Sequence, residues 1–179
     1  FPILLKSRKN KYILPKNVPA NEFLNLEGKK LSTSRNWAIW LHEYLNDFKN
    51  QQDSLRYSLC ATAPETKDTD FTWKEFQAKN NNELVSIFGN FINRVLVLTN
   101  KYYNGIVPEI TYTDDVIDSC ISKLAQYPEK IGNQLEKYKF RSALSELMNL
   151  CRLGNKFLAD NEPWKIHREN PEKTASIMN

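Results

Sequence analysis

The longest helical signal in the chain, Phe71 to Gly105, is the frame into which every other segment must fit. It opens with FTWKEF, where Thr72 as N-cap and Glu75 three residues on make a capping box, and Phe71 against Phe76 reads as a hydrophobic staple. It closes on Tyr103, Asn104 and Gly105 with Pro108 behind them, a left-handed cap followed by a stop. The spacing predicts a helix over 73–103, roughly 45 Å long at 1.5 Å per residue. Asn80, Asn81 and Asn82 are three poor helix formers in a row, where a kink is allowed.

Within that helix Leu84, Phe88, Phe91, Val95, Leu98 and Tyr102 alternate by four and three and define a core-facing stripe. The opposite stripe is polar and holds Ser86, Asn90, Asn93, Arg94 and Lys101. Asn90 and Arg94 lie one turn apart, so an amide and a guanidinium project together from a rigid rod. Such a pair suits the donor and acceptor edges of unpaired bases. A merely solvated face with one intrahelical contact accounts for the same residues.

A chain of 179 residues can bury enough surface for one or two small domains without covalent staples. The three cysteines, Cys60, Cys120 and Cys151, are far apart and set among apolar residues, the pattern of free buried thiols in a reducing cytosol. With only His42 and His167 besides, no metal is expected. The formal charge of +4 leans toward polyanions that would be held by a few placed cations. No apolar run approaches the roughly 20 residues of a membrane span, so a soluble, cytoplasmic protein is expected. The start at Phe1-Pro2, without an initiator Met, suggests a piece of a larger chain.

Residues 1 to 29 hold short apolar groups (Ile3 to Leu5, Tyr12 to Leu14, Phe23 to Leu26) broken by Pro15, Asn17, Pro19 and Gly28, which read as short strands and turns. The basic cluster Lys6, Arg8, Lys9 and Lys11 is either a solvated edge or a phosphate contact. GKKLSTSRNW, residues 28 to 37, places cations and hydroxyls ahead of a helical pattern through Trp37, Trp40, Leu41, Tyr44, Leu45 and Phe48. That is the composition of an anion site at a helix N-terminus, and also of an ordinary N-cap. A short helix over 51–61 ends at Pro64, and the polar stretch 64–71 reads as the boundary between two domains.

Beyond the long helix a loop over 106–112 leads to a helix begun by Thr113, Asp114 and Asp115, with Val116, Ile117, Cys120, Ile121 and Leu124 inward and Pro128 interrupting it. A last long helix is predicted from about Gly132 to Leu158, with Phe140, Leu144, Leu147, Cys151, Gly154 and Leu158 on its buried side and Gly154 permitting close approach of a neighbour. Three long helices with short connections make a bundle. Trp164, behind Pro163 in a short connection, is either a plug over that bundle or an exposed stacking platform.

Taken together, KLSTS at 30–34, NELVSIFGNFINR at 82–94 and Pro163-Trp164 resemble, in order, the KMSKS signature loop, the anticodon helix and the closing tryptophan motif of class I methionyl-tRNA synthetases. The resemblance implies a mainly α fold, with residues 1–70 ending a catalytic and stem-contact region of short strands that bears the loop at 30–34, and residues 71–179 forming a helical anticodon-binding domain. It implies an enzyme that joins methionine to its tRNA using ATP and magnesium, with a Rossmann catalytic domain ahead of this segment. No HIGH-like motif is present here, so the segment is expected to hold no cofactor and not to aminoacylate alone. On the family pattern Lys30, Ser32 and Ser34 face the ATP phosphates; Leu31 replaces the signature methionine, and Thr33 stands where the second signature lysine would be, so that either Thr33 donates a hydrogen bond there or Arg35, directly after the loop, supplies the missing charge. Asn90 and Arg94 correspond to readers of the CAU anticodon of the methionine tRNA, and Trp164 to the surface under its first base. The acidic residue often found five positions before that tryptophan is Ala159 here, with Asp160 one later, so no acidic reader is assigned.

Two other readings share these features. A related class I synthetase for another aliphatic amino acid would have a similar loop. A non-enzymatic helical interaction module would bury Trp164 and bind RNA without sequence preference.

Overall fold

The computed structural model describes residues 15–179, and the expectations on Ile3 to Leu5, Tyr12 to Leu14 and the basic cluster Lys6 to Lys11 fall outside them. A small sheet comes first. Strand β1 (Leu24–Leu26) turns into β2 (Lys29–Lys30) and pairs in parallel with β3 (Thr69–Phe71), in the order β2-β1-β3. Glu27 and Gly28, both with positive φ (49° and 74°), make the tight turn whose twist suits a two-residue hairpin. The parallel pair needs a crossover, supplied by helices α1 (Leu41–Asp47) and α2 (Gln52–Ala61). Leu26, Tyr44, Phe71 and Phe76 form the buried centre of this half. The polar stretch 64–71 therefore ends as a strand of the first sheet, with Phe71 in its core.

From Thr72 the chain runs helically to Tyr103, but not as one α-helix. α3 (Trp73–Lys79) passes into a π-helical segment, Asn80–Gly89, and then into α4 (Asn90–Tyr103). The allowed kink at the three asparagines is thus a change of register sustained over ten residues. Ser86 Oγ donates to the Asn81 carbonyl five residues back (2.7 Å), and Asn80 Nδ2 donates to the Phe76 carbonyl (2.8 Å). Gly89 suits this register, because a Cβ there would stand 2.9 Å from the Leu84 carbonyl oxygen. The apolar stripe is correspondingly cut. Phe91, Val95, Leu98 and Tyr102 line the second core, whereas Phe88 is left 38% exposed.

That second core joins α4 to α5 (Asp115–Leu124), α7 (Phe140–Asn161) and the C-terminal helix α9 (Pro171–Met178) through Leu98, Ile117, Leu158, Ile177 and Met178. Asp114, rather than Thr113, caps α5 by accepting from the Val116 and Ile117 amides. Ile117 and Cys120 are buried as expected, whereas Val116, Ile121 and Leu124 are exposed. Pro128 does not interrupt a helix but sits in the first turn of α6 (Tyr127–Glu136), where its missing N–H costs nothing. The expected helix from Gly132 to Leu158 is two helices. Tyr138 takes a left-handed conformation (φ 57°), folding α6 back on α7, and Phe140 at the turn stays exposed. The Arg141 amide at the start of α7 donates to Glu65 Oε1 (3.0 Å), which ties this end of the bundle to the first half.

Candidate nucleic-acid interface

Gly154 brings α7 against α4 as its position suggested: a Cβ there would lie 2.3 Å from Phe91 Cε2. At that approach the next residue, Asn155, reaches three groups on the facing helix. Its Nδ2 donates to the Ile87 carbonyl (3.0 Å), and its Oδ1 accepts from Arg94 Nη1 (3.3 Å) and Asn90 Nδ2 (3.4 Å). Its backbone carbonyl also accepts from Arg94 Nη1 (3.4 Å). Asn90 and Arg94 do stand side by side, but they converge on a third residue that the sequence reading missed. A lone amide in the apolar run Leu153, Gly154, Phe157, Leu158 was the only signal, and it looks like any polar residue in mid-helix.

Trp164 lies beside them. It belongs to a single helical turn, α8 (Pro163–Ile166), started by buried Pro163 after Glu162 ends α7 in a left-handed conformation. The ring is 39% exposed, and the Arg94 guanidinium sits 5.3 Å from its centroid, a cation–π arrangement. It is therefore neither a buried plug nor bare. Tyr102 stacks on His167 at 4.1 Å and fixes this turn to α4. Among the described residues Arg94, half-buried, has no carboxylate within ion-pairing distance. Asn90, Arg94 and Trp164 thus gather at one place, with an unneutralised cation, an amide and an exposed aromatic face.

Lys30, Ser32, Ser34 and Arg35 gather elsewhere, in the first half. Ser32 and Trp37 exchange backbone hydrogen bonds (2.9 and 2.8 Å), closing a loop that contains a single 3-10 turn, Thr33–Arg35. The Trp37 indole donates to the Leu26 carbonyl (3.0 Å) and anchors the loop to β1. Ser32 Oγ and Ser34 Oγ lie 3.2 Å apart, and Lys30 Nζ rests 5.7 Å from the Phe23 ring. The helical pattern expected from Trp37 begins only at Leu41, and its N-cap is Trp40, which offers no side-chain bond, so the hydroxyls of the loop do not cap this helix. The loop has instead an amine and two hydroxyls on a closed turn, a donor set suited to phosphate oxygens.

A cleft of about 870 Å³ between α2 and the α6–α7 turn, lined by Tyr57, Glu65, Glu83, Lys139, Arg141 and Arg152, holds none of the candidate site residues Lys30, Ser32, Ser34, Arg35, Asn90, Arg94 and Trp164. The three cysteines are free, and burial pushes the thiols of Cys120 and Cys151 up. Among the described residues no cluster of His, Cys, Asp and Glu could hold a metal, and no helix is long and apolar enough to cross a membrane.

Residues 1–96 match the family model described as tRNA synthetases class I (M), and residues 107–179 match the anticodon binding domain of methionyl tRNA ligase. The methionine–tRNA ligase of Christiangramia forsetii is 65% identical over 178 residues, and that of Flavobacterium psychrophilum 63%. Each alignment takes in 99% of this chain but 26% of the relative, so the chain spans about a quarter of the curated relatives it matches. In fold it is similar to a Mycobacterium tuberculosis methionyl-tRNA synthetase in complex with methionyl-adenylate, with a TM-score of 0.85 at 20% identity over 99% of this chain and 35% of that one.

Proposed function

The chain belongs to the class I tRNA synthetases of the M family, and from that premise we propose that it is the anticodon-reading part of a methionine–tRNA ligase, recognising CAU on the methionine tRNA. Arg94 supports this most. A half-buried guanidinium with no carboxylate partner among the described residues, lying over an exposed indole and beside an amide, is a cation kept free for a ligand. Trp164 offers its open face to the first anticodon base, while Asn90 and Arg94 hydrogen-bond base edges. Stacking contributes about 1–3 kcal/mol per base, and a bidentate edge contact about as much.

In this reading residues 1–70 serve the catalytic side and residues 71–179 the anticodon side. The loop of Lys30, Ser32 and Ser34 meets the ATP phosphates in the whole enzyme, where ATP supplies the activated phosphorus to which the methionine carboxylate is joined as pyrophosphate leaves. Lys30 and the two hydroxyls hold the departing phosphate oxygens, with Arg35 as the second cation. Charge grows on those oxygens during the step, so fixed donors there lower the barrier more than they aid binding.

The test is titration of a CAU stem-loop, and of one with the first anticodon base changed to guanine, at one fixed salt concentration. CAU is expected to bind about 5- to 100-fold more tightly. Arg94→Ala and Trp164→Ala should erase the difference, and the latter should also remove the tryptophan quenching that stacking of a base on Trp164 would cause in the parent. Equal binding of the two loops, with both variants behaving as the parent, would overturn the assignment.

A further inference from the structure

Resting on that reading, we propose that Asn155 is the positioning residue that fixes which hydrogen-bonding edge of Asn90 faces the RNA, and so makes the site select cytosine over uracil at the first anticodon position. An asparagine amide is symmetric in shape and opposite in polarity at its two ends, so a free one presents donor and acceptor interchangeably. Asn90 has no such freedom. Asn155 Oδ1 can only accept, and it faces Asn90 Nδ2 at 3.4 Å, which leaves Asn90 Oδ1 as the outward atom.

The polarity of Asn155 is itself imposed by the backbone. Its Nδ2 donates to the Ile87 carbonyl at 3.0 Å, a group that can only accept, so its Oδ1 must be the end turned toward Asn90 and Arg94. Arg94 Nη1 donates to that same oxygen and to the Asn155 carbonyl, which leaves the remaining guanidinium N–H groups available. The outward edge is thus one acceptor from Asn90 beside donors from Arg94. Cytosine presents the complement, an exocyclic amino donor next to ring acceptors, whereas uracil would set its own carbonyl oxygen against Asn90 Oδ1. At 3.3–3.4 Å the contacts to Asn90 and Arg94 are long, so they orient these side chains and leave them able to move toward a base.

Two substitutions separate orientation from simple packing, each measured against CAU and UAU stem-loops. Asn155→Asp retains an acceptor for Asn90 Nδ2 but loses the donor to the Ile87 carbonyl, and its charge also pairs with Arg94. It should keep the cytosine preference, bind both loops more weakly, and show a salt dependence reduced by about one phosphate equivalent. Asn155→Leu keeps the branched shape and removes every side-chain polar contact, so the Asn90 amide turns freely. The cytosine preference, expected at about 5- to 100-fold in the parent, should fall to within about twofold as uracil binding improves relative to cytosine. Should Asn155→Leu not fold, Asn155→Ala replaces it. A parent that prefers cytosine and a Leu or Ala variant that keeps the full preference would overturn the proposal while leaving the anticodon reading intact. A parent without preference overturns both.

Discussion

Substituting Gly154 tests how closely α4 and α7 must approach. An added Cβ would sit 2.3 Å from Phe91 Cε2 and 2.6 Å from Cζ. Carbon atoms in contact prefer about 3.5–4.0 Å, so the Phe91 ring or the helix must give way by about 1.2 Å or more. The ring cannot leave without loss, because it packs on the cluster around Leu98 and Leu158. Overpacking of this kind costs about 1–3 kcal/mol, and the upper end applies where the clash is with a ring held in a core. Against it stands the gain of about 0.5–1 kcal/mol from replacing glycine by alanine inside a helix. Gly154→Ala should therefore destabilise by about 2 kcal/mol, or about 4–8 °C in Tm for a chain of this size, read by thermal melting under far-UV circular dichroism. Phe91→Leu in the same background should recover part of that loss, so the two substitutions should show a coupling of roughly 1 kcal/mol or more in a double-mutant cycle. An unchanged or raised Tm in Gly154→Ala, or strictly additive effects, would refute the close-approach argument.

Two further outcomes follow from other contacts. Lys173 Nζ lies 2.7 Å from Asp114 Oδ2 and joins the C-terminal helix to the start of α5; this hydrogen bond, with those from the Ile117 and Val116 amides, holds the Asp114 carboxyl below its ordinary 3.8, while Asp114 raises Lys173 above 10.5. The carboxylate's contribution is present above its ordinary value and lost as pH falls through the lowered one, and the ammonium's is lost as pH rises through the raised one. Asp114→Asn should lower Tm at neutral pH and match the parent in strong acid; a Tm difference that does not change with pH would exclude this linkage. In a full-length ligase carrying this segment, Lys30→Ala and Arg35→Ala should each slow methionine-dependent pyrophosphate exchange by at least about tenfold, and an unchanged rate for Arg35→Ala would remove it as the substitute for the second signature lysine.

The parts of the fold that rest on local chemistry were legible in the sequence. Thr72 Oγ1 does accept from the Glu75 amide (3.1 Å), Phe71 and Phe76 do pack (5.9 Å between centroids), and Asn104 does end α4 in a left-handed conformation. Tyr138 carries no such signal. A left-handed tyrosine between two lysines, with neither glycine nor proline at the break, is held there by the packing of α6 on α7, so periodicity runs straight through it. The π segment was invisible for the same reason: three asparagines announce a weak helix, but which register replaces it depends on Gly89 and on contacts across to α7. At the candidate site, Asn90, Arg94 and Trp164 could be named because a family pattern spaces them along the chain. Asn155 could not, because its meaning lies in the groups it meets across a helix interface.

The π segment has a consequence for rotation as well as for burial. Each residue of an α-helix turns the chain by about 100°, whereas the wider turn between Asn80 and Gly89 winds more slowly, so the segment works as a gear between the two ends of the rod. Trp73 and Phe76 are set against the first core, and Asn90 and Arg94 against Asn155, only because those ten residues deliver a particular angular offset between them. Loss of one residue from this stretch would swing Asn90 away from Asn155 by about a quarter turn while leaving both helices intact. The length of the segment therefore sets how Asn90 and Arg94 meet Asn155 as much as the identity of those residues does.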